Sequence, residues 1–274
     1  MAGTLWLVGT PIGNLGDLTD RARETLMSAD VIAAEDTRRT GRLLGSIGME
    51  RRPPMVSYFE GNERERAQEL LGRLRAGAEV ALVSDGGMPG VSDPGYRIVL
   101  AAVAEGIDVR VVPGPSAVLA ALVISGLPTD RFSFEGFLPR KAGERGRRLA
   151  DLRHDERTLV FFESPKRLQA FLRDIEQALG DRRVAVAREL TKRHEEVRRG
   201  RVSEVLDLLG DEELKGEVVV VVEGATEPPV VDLDACVEEA RALVAGGMRK
   251  RDAAHDVAER RGVSANDLYG RLIG

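Results

Sequence analysis

With 274 residues, 43% of them hydrophobic and 31% charged, the chain can bury the cores of two modest domains, and it has no apolar stretch long enough to span a bilayer. A net charge of −5 excludes a protein that coats nucleic acid indiscriminately by counterion release, and the single cysteine, Cys236, excludes an internal disulfide framework. His154, His194 and His255 are too scattered to form a metal-ligand pattern, so no metal is expected; the absence of a basic leader makes the cytoplasm the expected compartment.

Leu5-Trp6-Leu7-Val8 reads as a buried strand, and the turn-rich run from Gly9 to Leu18 leads from it into a helix over 19–28. Val31-Ile32-Ala33-Ala34 is the second strand, with Glu35, Asp36, Thr37 and Arg38 at its end before a short helix around Leu43. A strand over 55–58, an amphipathic helix over 63–75 and a strand over 80–83 follow.

The strand over 80–83 delivers Ser84-Asp85-Gly86-Gly87-Met88-Pro89-Gly90-Val91-Ser92-Asp93-Pro94-Gly95, a loop of residues that let backbone approach a ligand. Ligands of open α/β sheets gather outside the carboxyl ends of parallel strands, which marks this loop as a small-molecule site. It fits neither G-x-G-x-x-G nor G-x-x-x-x-G-K-[ST], and Tyr96 stands where a phosphate-binding lysine would, so a dinucleotide or nucleoside triphosphate is disfavoured. After a helix over 96–105 and a strand over 109–112 comes the turn Pro113-Gly114-Pro115-Ser116-Ala117, in which Ser116 can serve as helix cap or ligand contact.

Residues 132–139 read as a strand running into a breaker. The basic segment with Arg140, Lys141, Arg145, Arg147 and Arg148 reads as a domain boundary, giving an N-terminal α/β domain over 1–138 and a second over 139–226. In the second, strands over 158–162 and 184–187 end at Glu163-Ser164-Pro165 and Arg188-Glu189-Leu190-Thr191-Lys192; helices over 166–179 and 202–209 and a strand over 218–222 complete it. A linker over 224–231 with Pro228-Pro229 leads to a helical tail, within 227–274, over 233–245, 250–260 and 266–273. The tail breaks at Gly262-Val263-Ser264 and restarts on the capping signal Ser264-x-x-Asp267. Its last two helices read either as a helix-turn-helix that touches nucleic acid or as a small bundle. Further basic clusters, Arg182 and Arg183, Lys192 and Arg193, Arg198 with Arg199 and Arg201, and Arg249 to Arg251, point to local basic surfaces on an acidic protein.

These segments together resemble the tetrapyrrole methylase superfamily, and more closely the ribosomal RNA small subunit methyltransferase I family. The resemblance lies in Val8 to Asp17, Ala34-Glu35-Asp36-Thr37-Arg38, Ser84 to Gly95, Pro113 to Ala117, Ser125-Gly126-Leu127-Pro128 and Gly136-Phe137-Leu138-Pro139. Glu163-Ser164-Pro165, Ala187 to Lys192 and Lys215-Gly216-Glu217 complete it, so that it spans nearly the whole chain. The family's glycine turn commonly reads S-D-A-G-T-P-G-I-S-D-P-G; Met88 replaces a threonine here and is assigned backbone contact only.

The resemblance implies a fold of two α/β domains with a cleft between them and a small C-terminal helical segment. It implies S-adenosylmethionine as methyl donor, held by Pro11, Asp85, Gly86, Gly87, Met88, Ser116, Ala117, Phe162 and Leu190, and 2′-O-methylation of a cytidine in small-subunit ribosomal RNA by a homodimer. A zwitterionic sulfonium needs backbone donors and acceptors, a carboxylate and apolar walls, which suits the loop's composition.

In-line transfer requires sulfur and ribose oxygen held about 3–3.5 Å apart and a group that accepts the hydroxyl proton. Among Glu35, Asp36, Glu163, Glu189 and Lys192, the expectation is that Glu35 and Lys192 handle the proton or the substrate. Arg38 and Arg167, with Glu163 and Glu189, are expected to bind the RNA, with Tyr58, Phe59 and Phe137 as stacking platforms. The rival readings are a tetrapyrrole C-methyltransferase of the same superfamily and a non-catalytic RNA-binding assembly factor.

Overall fold

The computed structural model describes residues 2–49, 51–210, 214–226, 233–261 and 263–273. The chain opens with β1 (Thr4–Val8), α1 (Asp20–Ser28), β2 (Val31–Ala34), α2 (Thr37–Ser46), β3 (Met55–Ser57), α3 (Glu63–Arg75), β4 (Val80–Val83), α4 (Tyr96–Ala104) and β5 (Asp108–Val112). The helices start where capping chemistry places them. Thr19 accepts a hydrogen bond from the Ala22 amide at 3.1 Å, and Asp36 accepts from the Arg38 and Arg39 amides at 2.8 and 3.3 Å.

The five strands form an all-parallel sheet in the order β3-β2-β4-β1-β5. Both faces are covered, as continuous apolar strands demand. Val80 and Leu82 pack with Leu70, Leu74 and Ile98 of α3 and α4, whereas Ala81 and Val83 pack with Ala22 and Leu26 of α1. The chain therefore leaves the neighbouring strands β1 and β4 towards opposite faces. Their carboxyl ends are therefore the topological switch point, the place where sheets of this kind take ligands.

The chain continues with α5 (Ala117–Ile124), β6 (Phe132–Phe137), α6 (Ala142–Asp151), β7 (Thr158–Glu163), α7 (Leu168–Leu179), β8 (Arg183–Arg188), β9 (Glu196–Arg201), α8 (Val202–Leu209) and β10 (Val218–Val222). The second sheet has the order β6-β7-β10-β8-β9; β6 and β7 are parallel and every other pair is antiparallel. Because β6 pairs with β7, this sheet begins ahead of the 138/139 boundary expected from the basic segment. That segment folds instead as α6, with Arg145 buried against Asp174 at 2.5 Å.

Two faces of this sheet do different things. Leu159, Phe161, Val186, Val218 and Val220 pack with α6, α7 and α8. Val160, Ala185, Ala187, Val219 and Val221 pack with Val118, Ala121 and Leu122 of α5, joined by Ile12, Ala117, Phe162 and Leu190. This second core draws the loop after β1 onto the second sheet; residues 1–224 form one compact unit.

A second unit, 225–274, contains α9 (Leu233–Ala245), α10 (Lys250–Arg261) and α11 (Ala265–Ile273) around Cys236, Val237, Ala254, Val257 and Leu268. The Asp267 amide donates to Ser264 Oγ at 3.3 Å, as the capping signal predicts. Residues 227–231 of the expected linker, with Pro228-Pro229, and Gly262 of the expected break lie outside the described residues.

Candidate functional site

The turns after β1, β4 and β5 are fastened to one another by backbone. Thr10 and Gly87 exchange reciprocal N–H···O bonds of 2.9 Å, the Gly9 amide donates to Val112 O at 2.9 Å, and Thr10 Oγ1 donates to Ser84 O at 3.3 Å. Only glycine permits the approach: a Cβ on Gly9 would lie 2.6 Å from Gly114 Cα and 2.8 Å from Met88 Sδ. Gly87 has a φ of +92°, and a Cβ on Gly86 would come within 3.2 Å of Pro11 O. Ser116 caps α5 through a 3.4 Å bond from the Leu119 amide, so the cap reading of that residue holds.

The loop after β1 also reaches the second sheet. A Cβ on Gly13 would meet Lys192 Cγ at 2.5 Å, Leu190 O at 2.9 Å and Thr191 Oγ1 at 2.9 Å. The segment it meets is strained: Glu189 and the β-branched Thr191 have φ of +52° and +64°. Hydrogen bonds hold it there. Glu189 Oε1 accepts from Lys192 Nζ at 2.8 Å and from the Glu217 amide at 3.0 Å, while Glu195 accepts from the Thr191 amide at 2.6 Å. Gly216, at φ +94°, leaves no room for a Cβ beside the Glu189 carboxylate.

Carboxylates gather at the ends of β2 and β4. Glu35 accepts from the Asp85 amide at 3.1 Å, and Asp85 accepts from the Asp36 amide at 3.2 Å and pairs with Arg39 at 3.1 Å. Burial raises the pKa of Glu35 above the ordinary carboxylate range, against the opposing pull of the Asp85 amide. Burial likewise pushes Asp93 up to about 6, with Glu35 and Asp85 adding to the rise and the Ser84 hydroxyl working against it. The hydrogen-bonded Arg38 side chain holds Asp36 low, which fits a helix cap and not a proton acceptor.

The site thus brings together backbone-lined turns, carboxylates at the ends of β2 and β4, and an apolar wall of Ile12, Phe162 and Leu190. The family model of the tetrapyrrole (corrin/porphyrin) methylases matches residues 4–206. The ribosomal RNA small subunit methyltransferase I of Thermotoga maritima is 50% identical over 222 residues, 81% of this chain and 99% of that one. Its counterpart from a Synechocystis species is 45% identical over 270 residues, 97% of this chain and 96% of that one. The chain belongs to the ribosomal RNA small subunit methyltransferase I family.

Among solved structures, the uroporphyrin-III C-methyl transferase of Thermus thermophilus complexed with S-adenyl homocysteine shares the fold at a TM-score of 0.56 and 24% identity, over 81% of this chain and 97% of that one. Membership of the methyltransferase I family makes the protein an enzyme, a methyltransferase on the tetrapyrrole methylase fold.

Within this methyltransferase I framework the structure sorts the residues singled out from sequence. Pro11, Gly86, Gly87 and Met88 converge, with Gly87 also beside Pro115 of the Ser116-Ala117 turn, and Ala117, Phe162 and Leu190 share one apolar cluster with Ile12. Lys192 departs from expectation as a proton acceptor. Partial burial works to lower its pKa, but hydrogen bonds to Glu189 and Glu217 outweigh it and leave the pKa raised, so the ammonium keeps its proton at neutral pH.

Glu163 pairs across the ladder with Val218, a residue of the core under α7, and thus lies on the opposite face from Phe162. Its carboxylate accepts from the Ser164 amide at 2.6 Å and pairs with Arg167 at 3.3 Å, while Arg167 also donates to Pro139 O at 3.4 Å. The pair braces the segment after β6 and is not gathered with the turns. Arg38 stays open to solvent at the start of α2. Tyr58 is fully buried and donates to Glu63 Oε1 at 3.3 Å, which removes it as a stacking platform; Phe59 and Phe137 are exposed.

Many of the arginines read as basic surface are structural. Arg145 binds Asp174, Arg182 donates to Leu179 O and Glu223 O, Arg199 to Ile124 O, and Arg201 to Asp181 O. Sequence reasoning assigned no role to Asp93, Glu195, Gly216 or Glu217. The signal for the last two was their Lys215-Gly216-Glu217 motif, whose purpose depends on a contact across the sheet.

Proposed function

We propose that the protein transfers a methyl group from S-adenosylmethionine to the ribose 2′-oxygen of a cytidine in 16S ribosomal RNA, acting on the small ribosomal subunit. The observation that carries this reading is the meeting of the β1, β4 and β5 turns with Leu190–Lys192 at the switch point, in a chain of the methyltransferase I family. The donor set fits the cofactor: backbone at close approach, carboxylates at Glu35 and Asp85, and apolar walls at Ile12, Phe162 and Leu190. S-adenosylmethionine, when bound, supplies an electrophilic methyl on a sulfonium.

The chain's own residues then position and deprotonate. The 2′-hydroxyl is a poor nucleophile until its proton leaves, and a carboxylate with an elevated pKa is better matched to that proton than an ordinary one. Glu35 has this property and takes the acceptor's role in this reading. Lys192, kept protonated between Glu189 and Glu217, contributes a fixed positive charge for RNA oxygens, and exposed Arg38 binds phosphate.

The protein works in the cytoplasm and as a homodimer in this reading. No helix among the described residues is long and apolar enough to cross a membrane. Tyr96, Leu100 and Val103, spaced on one face of α4, are exposed beside the edge strand β5, whose Val111 is also exposed, and these apolar side chains suit contact with a second copy.

Purified protein given labelled S-adenosylmethionine, small ribosomal subunits and a uroporphyrinogen-type tetrapyrrole tests the reading. Label in the RNA supports it. Label in the tetrapyrrole would assign the C-methyltransferase rival, and cofactor binding with transfer to neither would leave a non-catalytic RNA-binding factor.

A further inference from the structure

Phe137 is displaced from the side that simple strand alternation would give it. In β6, Phe134 pairs with Val160, Gly136 with Phe161 and Phe137 with Phe162, with a register shift between Phe134 and Gly136. Phe134 and Phe137 are an odd number of positions apart, so a regular strand would send them to opposite faces. The extra residue of the bulge places both over the β7 residues Val160 and Phe162, on the face that carries the apolar wall of the candidate site. Gly136 takes φ +62° to make this possible, a conformation that favours glycine.

The ring so placed is 62% exposed and rests at 5.5 Å, tilted, on Phe162, which is itself edge-on to Phe134 at 4.9 Å. A Cβ on Gly136 would stand 3.3 Å from Ser92 Oγ, so the bulge lies against the glycine turn. Just beyond it come Arg140 and Lys141, both exposed. An exposed aromatic at the rim of a methyl-transfer site, followed by cations, matches how single-stranded RNA is taken up: bases splayed out and stacked on π faces, phosphates held by Lys and Arg.

We infer that Phe137 is a platform for a flipped-out nucleobase of the RNA substrate, aimed at the site by the bulge at Glu135-Gly136. The inference rests on the proposed function. It assigns the ring to the RNA and not to the cofactor.

The test compares Phe137→Ala, Phe137→Leu and Phe137→Trp with the unmodified enzyme in three measurements. These are methyl transfer to small ribosomal subunits, calorimetric binding of S-adenosylhomocysteine, and thermal melting. Base–aromatic stacking of about 1–3 kcal/mol corresponds to about a 5- to 150-fold rise in KM for the subunit in the Ala and Leu variants. S-adenosylhomocysteine affinity and melting temperature should match the unmodified enzyme, and Trp should restore KM.

An unchanged KM in Phe137→Ala overturns the inference while leaving the function standing. So does a loss of S-adenosylhomocysteine affinity that tracks KM, which would make the ring a wall of the cofactor site. A Leu variant equal to the unmodified enzyme would reduce the role to apolar packing on Phe162. An unmodified enzyme that transfers no methyl to the subunit refutes the proposed function and this inference with it.

Discussion

Gly9→Ala is the substitution that best separates the candidate site from the rest of the fold. The new Cβ would lie 2.6 Å from both Cα and N of Gly114 and 2.8 Å from Met88 Sδ, whereas non-bonded carbons rest at about 3.5–4.0 Å. Met88 can swing aside, but the Gly114 contact is backbone against backbone, so the turns after β1 and β5 must separate by about 1 Å. Overpacking of this kind costs about 1–3 kcal/mol, or about 2–10 °C in melting temperature for a chain of this size.

The functional cost should be of similar size in free energy but easy to read, because a displacement of about 1 Å in a positioning element lowers catalysis on the order of 100-fold, or about 2.7 kcal/mol. Calorimetry with S-adenosylhomocysteine and methyl transfer to small subunits should both show that loss while the protein remains folded. Gly143→Ala, where the added Cβ meets nothing within 4 Å, is the control and should leave both assays unchanged. If Gly9→Ala bound S-adenosylhomocysteine as well as the unmodified protein, the meeting of the turns would not be the cofactor site.

Other outcomes follow from the same geometry. Asp93, raised by burial from 3.8 to about 6, binds a proton more tightly folded than unfolded, so its contribution to stability is present at low pH and is lost as pH rises through about 6. Asp93→Asn should therefore gain stability relative to the unmodified protein between pH 4 and pH 7, by about 1–2 kcal/mol because solvent screens the half-buried carboxyl, in denaturant titrations; a pH-independent difference would refute it. With Glu35 as proton acceptor, methyl transfer should rise with pH through a pKa above the ordinary glutamate value, and Glu35→Gln should abolish that limb of the kcat profile. Arg145→Ala strands Asp174 and two carbonyls and should cost about 3 kcal/mol, whereas exposed Arg140→Ala should leave the melting temperature unchanged; equal effects would restore the reading of that segment as a uniform basic surface. Leu100→Glu together with Val103→Glu should yield a monomer by sedimentation, and an unchanged mass would move the dimer contact elsewhere.

Local pattern carried most of the architecture. The strand over 80–83, the helix over 63–75, the strand over 218–222 and the helix over 233–245 stand where apolar periodicity and turn residues place them. What escaped was non-local. β9, with the sequence Glu196-Val197-Arg198-Arg199-Gly200-Arg201, is an edge strand whose arginines read only as a local basic cluster, and its place in the sheet shows where Arg188 and Glu196 meet across the ladder at 2.8 Å. α6 lay inside a run of arginines that resembled a boundary, because only the fold reveals Asp174 opposite Arg145. At the site, glycines and prolines announced the turns, but which face Glu163 occupies depends on its register with Val218, and the carboxylates that hold Lys192, Glu189 and Glu217, meet only in the fold. The bulge that turns Phe137 is likewise invisible without the pairing of β6 to β7.

Mapping of 2′-O-methyl marks in 16S ribosomal RNA, from cells with and without the gene and after adding purified protein with S-adenosylmethionine to the unmarked subunits, addresses the central assignment most directly. The account predicts one cytidine whose ribose mark vanishes with the gene and returns with the protein. An identical methylation pattern in both cell lines, with no mark added by the protein, would contradict it.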